Sequence, residues 1–98
     1  MPSTPVRVIL PGLLRDLVGG VPEISVDVPE TGDSVAGVLD QAFTQHRILD
    51  GRVRDERGQI RPHVKVFVNG EDVTRGGGAS SHVPPAARIH IINAVSGG

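Results

Sequence analysis

The sequence contains no cysteine, and this absence excludes several kinds of chemistry at once. Disulfide bonds and thiolate metal sites are ruled out, and so is any mechanism that holds sulfur as a cysteine persulfide on this chain. The four histidines are scattered, without the i, i+4 spacing of a helical metal site. We therefore expect no metal centre.

Aromatic residues are also scarce, since Phe43 and Phe67 are the only two in the chain. No base-stacking surface is expected from so few rings, and ten basic residues against eleven acidic ones give no basic excess, so we expect no nucleic-acid partner. No apolar run approaches the ~18 residues that suggest a membrane span. The N-terminus lacks a basic region followed by an apolar stretch, so the expected location is the cytoplasm.

The length of 98 residues predicts a single domain over residues 1–98, with residues 94–98 as a flexible C-terminal tail. A chain of this size buries only roughly 60–65% of the surface that its unfolded form exposes, so most apolar side chains are needed for the core. Little room remains for a deep cavity. This favours a binding or carrier protein over a self-contained enzyme.

The hydrophobic pattern predicts four strands, at residues 6–10, 23–28, 64–68 and 88–92, and one helix at residues 33–46. Asp33 or Ser34 is expected to cap the helix, and Asn69-Gly70 predicts a hairpin turn. The mixed-charge residues 50–61 are interpreted as a solvated loop or loose hairpin. This order predicts an α+β fold of the β-grasp, or ubiquitin-like, type: a small mixed sheet with one main helix packed across one face.

Alternation along the predicted strands separates a core face from an outer face. The residues expected on the core face are Val6, Val8, Leu10, Ile24, Val26, Val28, Val64, Val66, Val68, Ile89 and Ile91, and the apolar face of the predicted helix comprises Val35, Val38, Leu39, Ala42 and Phe43. On the outer face of the first, third and last strands, Ile9, Phe67 and Ile92 could form an exposed apolar patch with a basic rim. Such patches commonly mark protein interfaces. The alternatives are that loops cover this face or that these residues merely favour strand formation.

The chain ends in Gly97-Gly98, after the last predicted strand and a short tail of small residues. Glycine has no Cβ, so such an end can enter a narrow channel and pass close to catalytic groups. A terminal carboxylate on Gly98 can attack the α-phosphate of ATP and form an acyl-adenylate that is open to a sulfur nucleophile. The alternative is a frayed terminus.

Residues 91–98, Ile-Ile-Asn-Ala-Val-Ser-Gly-Gly, resemble the terminal signature of the MoaD/ThiS sulfur carriers, and residues 66–73 resemble a second signature of that family. The resemblance implies that an E1-like enzyme adenylates Gly98 with ATP and that sulfur converts it to a thiocarboxylate. A downstream synthase then accepts the sulfur. It also implies that Ala94, Val95 and Ser96 form the threading tail. The chain itself is expected to bind no cofactor, because ATP is consumed by the partner enzyme.

Some positions depart from the family pattern: Asn93 stands where many relatives have proline, and Ser96 where many have alanine. The long segment from Ile48 to His63 resembles the carriers of the cysteine-biosynthesis type. The main alternative is the small subunit of molybdopterin synthase. A ubiquitin-like protein modifier and an interaction domain that is never activated also remain open.

Overall fold

The computed structural model describes residues 5–93, which form a mixed sheet, a small second sheet and several helices. In chain order the elements are β1 (Val6–Ile9), α1 (Gly12–Leu17), β2 (Glu23–Val26), β3 (Asp33–Ser34), α2 (Val35–Gln45), a 3-10 turn (Arg47–Leu49), α3 (Asp50–Val53), β4 (Val64–Val68), β5 (Glu71–Asp72), a second 3-10 turn (Gly78–Ser80), β6 (His82–Val83) and β7 (Arg88–Asn93). No helix in this part of the chain is long and apolar enough to cross a membrane.

The main sheet has five strands in the order β2-β1-β7-β4-β5. β1 and β2 form an antiparallel hairpin, whereas β7 lies parallel to β1 and antiparallel to β4. The last strand is therefore the central one, with a neighbour on each side. This sheet, with one main helix across it, confirms the predicted β-grasp fold.

Helix α2 is the main helix, and it begins where the sequence predicts. Ser34 caps it, because its hydroxyl oxygen accepts a hydrogen bond from the backbone N–H of Gly37 at 3.0 Å. Asp33 instead accepts from the backbone N–H of Ser34 at 2.7 Å. The buried side chains of the helix are those of the predicted apolar face: Val35, Val38, Leu39, Ala42 and Phe43.

The core contains every residue that strand alternation assigns to the inner face. These residues are Val6, Val8, Leu10, Ile24, Val26, Val28, Val64, Val66, Val68, Ile89 and Ile91, and all are buried. The predicted hairpin turn is also present. Asn69 and Gly70 both have positive φ, at 50° and 85°, as a two-residue turn with the right-handed twist requires.

The interpretation of residues 50–61 as a solvated loop is wrong for its first part. Residues 50–53 form α3, and Leu49, Val53 and Arg54 are buried. Charged residues surround these three positions, so the hydrophobic pattern does not predict their burial. Arg54 can be buried because it is paired with two aspartates, Asp40 and Asp50. Only the later part is a loop, closed by an isolated pairing of Arg54 with Ile60.

Helix α1 and the two-stranded sheet of β3 and β6 were not predicted. Strands β3 and β6 have two residues each, too few to show a period of two. Their pairing fixes the start of α2, where the backbone N–H of Val35 also donates to the Ser81 carbonyl at 2.9 Å.

Candidate functional site

The predicted reactive end of the chain follows directly from the central strand. The tail residues Ala94, Val95 and Ser96, and the reactive Gly97 and Gly98, lie outside the described residues. The described chain ends at Asn93, the last residue of β7. Within the described residues, the candidate site therefore consists of β7, which precedes the tail, and of the outer face of the sheet beside it.

Strand β7 fixes the point from which the tail starts. Five of its residues are in register with β4, and the last of these pairs joins Asn93 to Val64, where β4 begins. On the other side, β7 is paired with β1 from Arg88 to His90. The last three residues of β7, which precede the tail, are thus paired with β4, whereas Ile89 and His90 are paired with both neighbours.

The three predicted patch residues lie on the same outer face of the sheet. Ile9 and Phe67 are half-buried, and the Ile92 side chain is 45% exposed. Ile9 and Phe67 are not adjacent, however, because β7 runs between their strands. The residue that separates them is His90, which is in register with both.

His90 was not predicted as a site residue, although its parity places it on the same face as Ile92. The register gives one continuous row across all five strands, composed of Glu23, Ile9, His90, Phe67 and Asp72. Directly paired side chains in such a row are about 5 Å apart at Cβ. The apolar patch therefore has an imidazole at its centre.

The charged residues of this face lie around the patch. Arg7 Nε is 3.5 Å from Glu23 Oε2, an ion pair between two largely exposed side chains that adds little stability. Lys65 stands opposite Ile92, and Arg88 lies two residues before His90. Neither Lys65 nor Arg88 makes an ion pair within residues 5–93. Lys65 and Arg88 thus leave positive charge on the rim. The charge of Lys65 is partly offset by Asp72, whose pKa is held below its usual value mainly by hydrogen bonds from Thr74 and to a lesser extent by Lys65.

The backbone at this rim is fixed by Asn69. Its backbone N–H donates to the Arg88 carbonyl at 2.8 Å, and its side-chain Oδ1 accepts from the Arg88 backbone N–H at 2.9 Å. These two bonds join the end of β4 to the start of β7. The positions of Phe67 and Arg88 relative to each other are thus set by the turn as well as by the ladder.

A second region with many charges lies on the helix side of the molecule. An open groove there is lined by Asp40, Asp50, Arg54, Arg57 and Arg61, among others. Arg54 donates to Asp40 and to Asp50, each at 2.8 Å, so much of the charge in the groove is paired within the protein. Burial acts to lower the pKa of Arg54, but its hydrogen bonds to Asp50 and Asp40 outweigh it and raise that pKa.

No group of three or more histidine, aspartate or glutamate side chains that could hold a metal ion occurs within the described range. The cationic and imidazole groups of the outer face are instead spread over a flat surface. Such a surface, with apolar residues at its centre and charge at its edge, has the composition of a protein-binding surface.

The model of the ThiS family matches residues 8–98, which is nearly the whole chain. The chain belongs to the ThiS family. This membership confirms the predicted resemblance and places the protein among the ubiquitin-like sulfur carriers of the MoaD/ThiS type.

Solved structures agree with this assignment. A chain of the Amycolatopsis orientalis BexX/CysO complex is 30% identical, with a TM-score of 0.78 and coverage of 95% of this chain and 99% of that one. Mycobacterium tuberculosis CysO is 27% identical, with a TM-score of 0.76 and coverage of 92% and 99%.

SAMP1 from Haloferax volcanii has a TM-score of 0.80 at 24% identity, covering 96% of this chain and 99% of that one, and shows the shared fold. No curated protein sequence matches the chain.

Proposed function

We propose that this protein carries sulfur as a thiocarboxylate on Gly98 and that it serves as a co-substrate of partner enzymes. The observation that carries the proposal is the family match, which runs through residue 98 and so includes Gly97-Gly98. The central position of β7 supports it, because the residues that precede the tail belong to a strand with a neighbour on each side.

The chemistry requires two steps on the Gly98 carboxylate, both on a partner enzyme that binds ATP. First, a carboxylate oxygen attacks the α-phosphate of ATP, pyrophosphate leaves, and an acyl-adenylate forms. Second, hydrosulfide attacks the acyl carbon, the bond from that carbon to the AMP oxygen breaks, and AMP leaves. The product is a thiocarboxylate, and no change of oxidation state is needed when hydrosulfide is the donor.

The role of this chain in those steps is to bind and present, since the activating enzyme supplies ATP and the groups that act on it. Gly97 and Gly98 lack Cβ atoms and fit a narrow channel, with Ala94, Val95 and Ser96 as the small residues that precede them. The patch of Ile9, Phe67 and Ile92 would contact the partner's surface while the tail enters its active site.

The activating enzyme is expected to be related to ubiquitin E1 proteins, and a separate synthase would accept the sulfur. The identities of 30% and 27% to two CysO chains favour the cysteine-type carriers over the small subunit of molybdopterin synthase. The A. orientalis chain was solved in a complex with BexX, which supports a partner enzyme for this chain also.

The test is the intact mass of the protein after incubation with ATP, an E1-like enzyme and hydrosulfide. We expect a gain equal to the replacement of one oxygen by one sulfur. Deletion of Gly98, or addition of one alanine after it, should abolish the gain. If several such enzymes load their own carriers but leave this chain unchanged, the carrier function is wrong and an interaction domain becomes the better interpretation.

A further inference from the structure

His90 occupies the centre of the surface through which the carrier is proposed to contact its partners. It lies on the central strand, and Ile9 and Phe67 flank it in register on the two neighbouring strands. Its side chain is half-buried, and within the described residues its ring nitrogens make no hydrogen bond. A neutral imidazole has one N–H donor and one acceptor nitrogen, so water satisfies both in the free protein.

Docking of a partner on the apolar patch would remove that water. Ile9 and Phe67 gain from being covered, but the imidazole between them loses its hydrogen bonds unless the partner supplies new ones. A site that requires a hydrogen bond disfavours partners without the matching group more strongly than a purely apolar site disfavours a partner of the wrong shape. A single polar group inside an apolar patch thus discriminates between otherwise similar surfaces.

We infer that His90 is a specificity-determining residue of the carrier, contacted by a hydrogen-bonding group on the apolar surface of the partner. The same partner surface would place acidic groups opposite Lys65 and Arg88, the two rim cations without an ion pair in the described structure. This inference rests on the proposed function, because it specifies the surface that the activating enzyme must present.

The experiment measures the KM and kcat with which an E1-like enzyme loads the carrier, using ATP and hydrosulfide. His90→Phe keeps a residue that favours strands but removes both hydrogen-bonding atoms. His90→Gln keeps a donor and an acceptor. His46→Phe is the matched control, because His46 is also half-buried but lies at the C-terminal end of α2, in the helix layer.

We expect His90→Phe to raise KM by about tenfold with kcat unchanged, because a polar group of the partner is left unpaired. His90→Gln should stay within about threefold of wild type, since its amide can still pair. His46→Phe should follow the wild type throughout.

An unchanged or lower KM for His90→Phe, with the same thermal unfolding as wild type, would overturn the inference. An equal rise in KM for His90→Gln and His90→Phe would overturn the requirement for a hydrogen bond at this position. If the wild type is not loaded at all, the proposed function itself fails and the inference falls with it. Loading of the wild type separates these outcomes.

Discussion

Arg54 Nη1 lies 2.8 Å from Asp40 Oδ1 and joins the segment after α3 to the exposed face of helix α2. The same guanidinium donates through Nε to Asp50 at 2.8 Å and lies 5.6 Å from the centre of the Phe43 ring. One side chain, only 7% exposed, thus connects three parts of the chain around an aromatic core residue. This arrangement explains how a segment rich in charge becomes part of the folded core.

Replacement of Arg54 by alanine should lower the free energy of unfolding by about 2 kcal/mol, since two charge-assisted hydrogen bonds and the packing on Phe43 are lost. The effect is limited because Asp40 and Asp50 are largely exposed and regain water. Urea unfolding measures it. Arg52→Ala is the control: this exposed residue of α3 should change stability by no more than about 0.5 kcal/mol. Equal effects of the two variants would contradict the assigned role of Arg54.

The carboxylate of Asp55 should contribute to the dependence of stability on pH. It accepts the backbone N–H of Gln59 at 3.0 Å and that of Arg57 at 2.9 Å, and these bonds hold the pKa of Asp55 below its usual value. Because the folded-state pKa is the lower one, the stabilisation is fully present above the unfolded-state value of about 3.9 and is lost as the pH falls through the folded-state value.

Asp55→Asn should therefore lower Tm at neutral pH, and the difference from wild type should shrink as the pH falls below about 4. Thermal unfolding followed by circular dichroism at a series of pH values measures this. Glu56→Gln is the neighbouring control, because the structure shows no hydrogen bond from the Glu56 carboxylate in the part it describes. A difference that stays constant into acid would contradict the prediction.

Gly32, which precedes β3, should tolerate substitution poorly. Its φ is 83°, and a Cβ there would overlap the Val83 carbonyl oxygen and the His82 ring. Gly32→Ala should cost about 2–4 kcal/mol, from both the strained backbone and the displaced β6.

Gly19→Ala separates the two causes, since Gly19 has a φ of 71° with open space around it, so that variant should lose only about 1 kcal/mol. Denaturant unfolding of both variants gives the comparison. Equal losses would mean that the overlap with β6 is relieved at no cost.

The exposed apolar residue nearest the tail should matter for recognition rather than for folding. Ile92 is 45% exposed, so Ile92→Asp should leave Tm nearly unchanged but raise KM for loading by the activating enzyme about tenfold or more, with kcat retained. Ile48→Asp is the matched control, because Ile48 is 52% exposed in the 3-10 turn before α3, away from the sheet face. Equal KM values for the two variants would remove Ile92 from the docking surface.

Much of this fold could be predicted from local patterns in the sequence. The period of two in the strands and of 3.6 in helix α2 predicted which residues of these elements are buried, because each side chain's direction follows from local backbone geometry. Asn69-Gly70 gave the hairpin for the same reason, since the turn depends on the positive φ that these two residues tolerate. The same patterns gave the side of the sheet on which Ile9, Phe67 and Ile92 lie.

The burial of the segment around Arg54 could not be predicted from local patterns. An arginine among aspartates has the pattern of a solvated loop, and its burial depends on Asp40, which lies fourteen residues earlier in the chain. The enclosed space and the paired charges exist only after α2 and α3 have packed. Partners distant in sequence thus decide whether a charged residue is buried.

The sequence by itself determined which residues of the four predicted strands and of the main helix face the core. The tertiary structure decided that β7 lies between β1 and β4, which places His90 between Ile9 and Phe67. The physical reason is that alternation specifies a face of a strand but not its neighbours, which are chosen when distant strands pair around the common core.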